Sequence, residues 1–372
     1  MITVPVNSND LLKRFIKFPH HLYKYNRYWV PKLISEEMKF FNPEKNPYYL
    51  HSEIQPFIAL ENGEVIGRIT AHTNTQHNKT HNDKVGFFGF FESYNNQMIA
   101  DNLFHTATEW LRNRGCDTIR GPMNLSTNDE CGLLIENFNS VPYIMMPYNY
   151  EYYQTLIENF GFKKEMDLYF YSIKKKKTPE RIKRLTKKLQ ARGNFTIRSL
   201  SKNKQERKKD IETVFNIYTK AWEKNWGFVP MTKAEFNHTV EELLPIALPE
   251  FIFIAEVEGK PAGFSMTLPD YNYVLKKMNG HILPLGIFKA LYYKNKIKRL
   301  RVITMGVIKE FQNRGIDTVF YAKSFETAYN HKHNFTDSEF SWVLETNKMM
   351  NRIAKSIGGT KYKTYRIFDK EI

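Results

Sequence analysis

Residues 301–333 constrain the fold more than any other part of this 372-residue chain. Arg301-Val-Ile-Thr-Met-Gly-Val-Ile308 is an apolar run rich in β-branched residues, which fits a buried strand. Val319, Phe320, Ala322, Phe325 and Ala328 then recur at helical spacing. Between them lies Gln312-Asn-Arg-Gly315, a polar turn whose glycine permits a left-handed backbone or a close approach. Such a turn leaves its own N–H groups, and those of the first helical turn, without intrahelical partners. Together with the positive end of the helix they suit an anion such as a phosphate. A plain strand-turn-helix of an α/β domain has the same local pattern, so the rest of the chain has to decide between the two readings.

These residues resemble motif A of the GNAT acyltransferase superfamily, Val-x-Pro-x-x-(Gln/Arg)-x-x-Gly-x-(Gly/Ala). In that family the motif joins the fourth strand to the third helix and cradles the pyrophosphate of acetyl-coenzyme A. Val307, Gln312, Arg314, Gly315 and Ile316 fall in register, whereas Lys309 replaces the usual proline and Asp317 the usual glycine or alanine. A carboxylate at Asp317 suits the helix dipole but opposes a bound phosphate. The resemblance implies that the fourth strand opens away from the fifth at Met305 to Val307. It also implies that Met305 N–H faces the thioester carbonyl, that the Val307 backbone pairs with the pantetheine arm, and that the N–H groups of Gln312, Asn313, Arg314, Gly315 and Ile316 hold pyrophosphate. Side-chain identity matters little for such backbone roles, which is how Lys309 could be tolerated.

Proton handling departs from the family pattern. Many GNAT enzymes carry Asn-x-x-Ala-x-x-x-Tyr-x-x-x-Gly-Phe in the fourth helix, with the tyrosine as acid for the leaving thiolate. Laid on Asn347 to Gly359, that pattern places Ala354 at the tyrosine position and makes Asn347 a further coenzyme-side candidate. Tyr365 or Tyr362 on the following strand is then the candidate acid. Glu345, at the end of the fifth strand, is the candidate base, acting directly or through water; a capping or salt-bridging role fits it as well.

The rest of the chain reads as two related halves. Pro56–Leu60 and Glu64–Thr70, joined across Asn62-Gly63, form a hairpin. A strand over 84–92 follows, then a helix capped by Asn95 with Ile99, Leu103, Ala107, Trp110 and Leu111 on one face. This half has no glycine-bearing turn between strand and helix, so as a GNAT-like domain it has lost the coenzyme cradle. Gly121 to Leu134 is a polar segment with Asn128 and Asp129 as candidate substrate groups, or a loop satisfied by its own hydrogen bonds. Phe195–Leu200, two helices from 210 to 244, and the hairpin 251–257/261–268 match the start of a second GNAT domain, in which Trp226 and Phe228 are candidate acceptor contacts. The expected fold is α/β: two GNAT-like domains, each a mixed, mostly antiparallel sheet flanked by helices. The expected boundaries are 1–175 for the degenerate first domain, 176–209 for a basic linker and 195–372 for the acyltransferase domain, with the first domain helping to shape the acceptor cleft.

Composition limits the alternatives. No apolar run approaches the length of a membrane span, and the first residues show no basic-then-apolar leader, so a cytoplasmic protein is expected. Cys116 and Cys131 alone neither staple a chain of this size nor build a thiolate zinc site, and no metal is expected. The formal charge of +16 suits an anionic coenzyme, a polyanion or an anionic membrane surface. The expected activity is transfer of an acetyl or other acyl group from acetyl-coenzyme A to a small amine or similar nucleophile. Two alternatives stay open: a Fem-type transferase fed by charged tRNA, which the charge would suit, and a non-catalytic acyl-coenzyme A binding protein, which Asp317 and Ala354 would suit. Neither the acceptor nor the oligomeric state is readable.

Overall fold

The computed structural model describes the chain apart from residues 175–177, Gly193 and Lys224, and apart from the Gln190 side chain. The lysine run after Lys174 and the glycine expected to stop the linker helix therefore lie outside the described residues. The chain forms two compact units: 1–168 with 272–292 and 363–372, and 169–271 with 293–362. The first unit is thus not one stretch of chain, unlike the linear division expected. Two returns create the difference. Asn272 Nδ2 donates to Pro142 O at 3.0 Å, and the C-terminal strand pairs with residues near 120.

In the first unit β1 (Ile2–Pro5), β2 (Ile54–Glu61), β3 (Glu64–Thr73) and β4 (Val85–Ser93) are antiparallel neighbours. β5 (Thr118–Gly121) joins β4 in parallel, and β6 (Leu133–Leu134) adds a short strand. β7 (Lys163–Lys174) passes from the first unit to the second at 168/169. The hairpin turn sits at Asn62 and Gly63, both with positive φ, as the Asn-Gly pair requires. Helix Gln97–Arg112 lays Ile99, Leu103, Ala107 and Leu111 on the sheet, and Phe88, Phe104 and Tyr153 complete that core. Its cap is Asn96 rather than Asn95, because Asn96 is the residue whose side chain reaches Met98 N–H.

The second unit repeats the plan with β8 (Phe195–Ser199), β9 (Ile252–Val257), β10 (Lys260–Pro269) and β11 (Arg299–Val307), all antiparallel neighbours. β12 (Asp337–Leu344) joins β11 in parallel. β13 (Thr360–Glu371) closes the chain, and its Phe368–Glu371 segment pairs with β5 in the first unit. Helices Lys204–Ala221 and Ile316–Asn330 pack on the sheet, with Ile217 and Tyr218 on one and Ile316, Val319 and Phe320 on the other buried. Cys116 and Cys131 are buried free thiols, and burial pushes the Cys116 thiol up to about 11. No helix among the described residues is long and apolar enough to cross a membrane.

Candidate active site

The parallel strand pair of the second unit builds the site. β11 and β12 pair only from Arg299↔Asp337 to Val302↔Phe340, although β11 runs on to Val307 and β12 to Leu344. At the same place β11 bulges: Met266 faces Thr304 and Thr267 faces Val302, so Ile303 is the extra residue. A bulge raises the local twist and turns a strand away from its neighbour. Thr304 to Val307 therefore keep their antiparallel partners on β10 while their other edge leaves β12.

The floor of this segment is an indole. A Cβ on Gly306 would stand 2.2 Å from Trp222 Cη2, so the ring lies directly on the glycine. Trp222 follows helix Lys204–Ala221 and also touches Tyr218 and Phe264. The sequence reading placed the aromatic contact at Trp226 and Phe228 instead. Trp226 is half-buried, and Phe228 is buried in the core against Tyr218.

After Val307 the chain makes a short 3-10 turn, Lys309–Phe311, and Gly315 takes φ +80° immediately before helix Ile316–Asn330. The Gln312 side-chain amide donates to Val307 O at 3.0 Å, so that carbonyl is already engaged within the loop. Gln312 N–H is bonded to Lys309 O and Val319 N–H to Gly315 O. Between them the N–H groups of Asn313, Arg314, Gly315 and Ile316 donate to no other group among the described residues. Gln312, Asn313 and Arg314 are exposed, and Ile316 anchors the turn in the core. Leu189 of helix Glu180–Ala191 packs against Gly315, and Arg184, Lys187 and Lys188 on that helix are exposed.

The far side of the opening is the end of β12. Asn351 Nδ2 donates to Leu344 O at 3.0 Å and to Asn347 O at 2.9 Å, and Tyr171 donates to Asn351 Oδ1 at 2.7 Å. Glu345 follows, half-buried. Asn347 Oδ1 accepts from Met350 N–H and caps helix Lys348–Ser356, a structural duty that the coenzyme-side assignment did not anticipate. Ala354 is fully buried in a cluster with Tyr321 and Phe340, against which Met305 packs. Among the described residues the Tyr321 hydroxyl is buried without a hydrogen-bond partner, and burial, with the Asp317 carboxylate one turn away, holds it firmly protonated. Tyr365, the candidate acid, is engaged elsewhere within its own unit. It belongs to the first unit, 1% exposed, with its hydroxyl donating to Pro147 O at 2.9 Å, because β13 has by then crossed between units. Tyr362 stays in the second unit and donates to Glu339.

That last contact belongs to a buried network the sequence reading missed. Arg301 Nε donates to Ser341 Oγ at 2.8 Å and lies 3.6 Å from Glu339 Oε1, which also accepts from Ser341 at 2.8 Å. The signal was a charged residue on each of two apolar strands.

In the first unit the corresponding opening is filled by the chain itself. β4 and β5 pair only over Val85–Phe87, and β4 bulges at Phe90–Phe91. Here Met123 N–H donates to Phe88 O at 2.8 Å and Phe90 N–H to Asn124 Oδ1 at 2.8 Å. At the end of the strand Ser93 N–H reaches the Tyr153 hydroxyl, and past it Tyr94 N–H reaches Ile66 O and Asn96 caps the helix. Asn128 and Asp129 sit in the filling segment. Ser126 donates to Asp129 at 2.8 Å and accepts from Asn128 N–H at 3.1 Å, while Tyr48 donates to Leu125 O at 2.9 Å and Lys32 to Glu130 at 2.6 Å from outside the segment.

β4 also carries Glu92, a carboxylate alone in the run Val-Gly-Phe-Phe-Gly-Phe-Phe-Glu. Tyr23 and Tyr153 each donate to its Oε2 at 2.6 Å, Arg68 lies 3.9 Å from Oε1, and Tyr23 stacks between Trp29 and Tyr150. Burial pushes its carboxyl up from an ordinary 4.5 to about 7, against the opposing pull of Arg68. Native Glu92 thus retains a proton that the unfolded chain has lost between these pH values. Its contribution is complete below pH 4.5 and disappears as pH rises through 7, an effect of about 3 kcal/mol at 1.4 kcal/mol per unit. Glu92→Gln keeps an acceptor for both tyrosines but cannot ionise. Urea unfolding at acid and alkaline pH should show a shallower loss of stability in the variant, and equal pH slopes for the two proteins would contradict this account.

The Acetyltransferase (GNAT) family matches residues 22–121, within the half whose strand opening is filled. The chain is 34% identical to Protein YghO of Escherichia coli over 99% of its own length and 94% of that protein. It is 32% identical to a Bacterial ceramide synthase of Caulobacter vibrioides over 99% of this chain and 97% of the relative. Among solved structures, a tandem GNAT protein from the clavulanic acid biosynthesis pathway superposes with a TM-score of 0.57 at 9% identity, covering 100% of this chain and 97% of that one. With a GNAT family match in its first half and relatives above 30% identity over nearly its full length, this protein belongs to the GNAT family of acyltransferases.

Proposed function

We propose that the chain is an acyl-coenzyme A dependent N-acyltransferase whose acceptor is a long-chain amine of the sphingoid type. The observation that carries the acceptor is its 32% identity, over almost the full length of both chains, to a protein named as a ceramide synthase. A ceramide is a long-chain amino alcohol acylated on nitrogen, so the reaction class is amide formation from an activated acyl group. The donor side rests on the second unit. It combines a fourth strand that leaves its parallel neighbour, a following turn with unbonded N–H groups, and a basic helix against that turn.

In this reading the donor supplies an acyl thioester and a diphosphate handle. Asn313 to Ile316 N–H groups hold the diphosphate, and Arg184, Lys187 and Lys188 add positive charge nearby. Met305 N–H polarises the carbonyl, where developing negative charge is best met by a fixed donor. The C–N bond forms as the C–S bond breaks; Glu345 takes the proton from the amine, and the Tyr321 hydroxyl, beside Ala354, serves the departing sulfur.

Thiol release and amide product are measured with a long-chain acyl-coenzyme A and sphinganine, against acetyl-coenzyme A with short amines. Long-chain amide is expected, with Gly315→Val raising KM for the donor tenfold or more and Tyr321→Phe lowering kcat at nearly unchanged KM. Amide formation only from short amines would replace the acceptor assignment. Donor binding without any amide would overturn the reaction.

A further inference from the structure

Between β10 and β11 the chain leaves the sheet for residues 270–298. The first part is tied down. Asn272, Val274 and Met278 of helix Asn272–Met278 are buried, Lys276 donates to Arg27 O, and Ile34 N–H donates to Gly280 O at 3.1 Å. The second helix, Gly286–Tyr293, is built differently. Its sequence is Gly-Ile-Phe-Lys-Ala-Leu-Tyr-Tyr, and among these residues only Gly286 is buried.

The large apolar residues here face outward. Leu283 is 72% exposed, Leu285 62%, Ile287 44%, Phe288 69%, Leu291 54% and Tyr292 60%. Leu285, Phe288 and Leu291 or Tyr292 follow one another at intervals of three and four, so they share a face along the helix. Burying such side chains is favourable, a gain the unit leaves unused. Single exposed leucines need no explanation, but six large apolar residues within ten positions form a patch of the kind that marks an interaction surface.

Charge decides between occupants. Lys289 lies within the helix and is exposed, and Lys294, Lys296 and Lys298 follow it in the chain, all exposed. They contribute to a formal charge of +16. Apolar side chains accompanied by lysines, with tyrosines at the helix end, are the composition of a helix lying in the headgroup region of an anionic bilayer. Eight residues of helix span about 12 Å, far short of the ~30 Å hydrocarbon core, so the helix can lie in the interface but cannot cross it.

We propose that residues 283–293 are an interfacial anchor that docks this protein on anionic lipid bilayers. Phe288, Leu291, Leu285 and Leu283 enter the acyl boundary, and Lys289 and the lysines after Tyr293 contact the anionic headgroups. The inference goes beyond the acyl-transfer reading and does not need it, because docking requires neither donor nor acceptor.

The test is flotation of the full chain with phosphatidylcholine vesicles, with and without phosphatidylglycerol, in the absence of substrates. Partition into the phosphatidylglycerol-containing vesicles is expected, weakening as salt rises. Phe288→Asp with Leu291→Asp should lower it tenfold or more, while Tyr25→Asp, at a residue 90% exposed elsewhere, should leave it unchanged. Lys289→Glu with Lys294→Glu provides a second variant that alters only exposed positions and should abolish the preference for phosphatidylglycerol. Absence of wild-type binding, or binding by both double variants equal to that of the wild type, would overturn the proposal. So would a wild-type dimer in solution that Phe288→Asp with Leu291→Asp converts to monomer, since the occupant would then be a second copy. Acyl transfer to a short, water-soluble amine, or to sphinganine in detergent micelles, reports on the reaction separately.

Discussion

Adding one methyl group at Gly306 is expected to destabilise the second unit and to depress acyl transfer more than any change in the neighbouring loop. A Cβ there would lie 2.2, 2.6 and 2.7 Å from three carbons of the Trp222 six-membered ring. An indole is rigid and is itself held against Tyr218 and Phe264, so it cannot yield the ångström required. Overpacking of this kind costs on the order of 1–3 kcal/mol. The strand would give instead, and β11 is where the proposed donor site positions its carbonyl; displacements near 1 Å can cost a hundredfold in rate. Gly306→Ala should therefore lower the urea midpoint and reduce kcat. Gly306→Ala combined with Trp222→Leu should recover much of the stability, because the second change removes the obstructing ring. A Gly306→Ala protein as stable and active as the wild type would mean that Trp222 does not form the floor of the opening.

Arg301→Met is expected to cost about 3–5 kcal/mol, the usual penalty for stranding one member of a buried ion pair. Arg301 is 4% exposed and Glu339 is 1% exposed. Without the guanidinium, Glu339 keeps Ser341 and Tyr362 among the described residues, two neutral donors that cannot balance a desolvated charge. Arg301→Met with Glu339→Met should be markedly more stable than the single variant at neutral pH, since no charge remains to be compensated. Chemical unfolding of the three proteins, read as a double-mutant cycle, gives the coupling directly. A coupling near zero would show that the two side chains do not act as a pair.

The same arrangement bears on function through β11 and β12. The pair lies within the short stretch where these strands run together, just before Ile303 bulges and they part. A satisfied network at this point fixes the place from which the opening starts. Its counterpart in the first unit is differently built. There the strands part after Phe87, and Asn124 and Met123 occupy the opening, so that unit keeps the architecture while its own main chain fills the corresponding groove.

Local order was largely legible in the sequence. The hairpin at Asn62-Gly63, the helix carrying Ile99, Leu103, Ala107 and Leu111, and the strand-glycine-helix of 301–333 all rest on interactions within a few residues. Periodicity and turn chemistry encode these directly. Motif spacing was likewise enough to direct attention to Gly315, whose φ of +80° few side chains accept. Tertiary structure decided what the motif could not. Tyr365 is in phase with a plausible catalytic role, yet β13 carries it into the first unit and seals its hydroxyl onto Pro147, 218 positions away. Glu92 reads as the polar end of a strand until Tyr23 and Tyr153 close over it from 69 and 61 positions away. Trp222 reads as one more apolar helix position until its ring is found against Gly306. The chain's own periodicity determines its elements, because neighbours along the chain set them. Which charges are buried, which hydroxyl lacks a partner and which strand opening is filled depend on residues brought together only by folding.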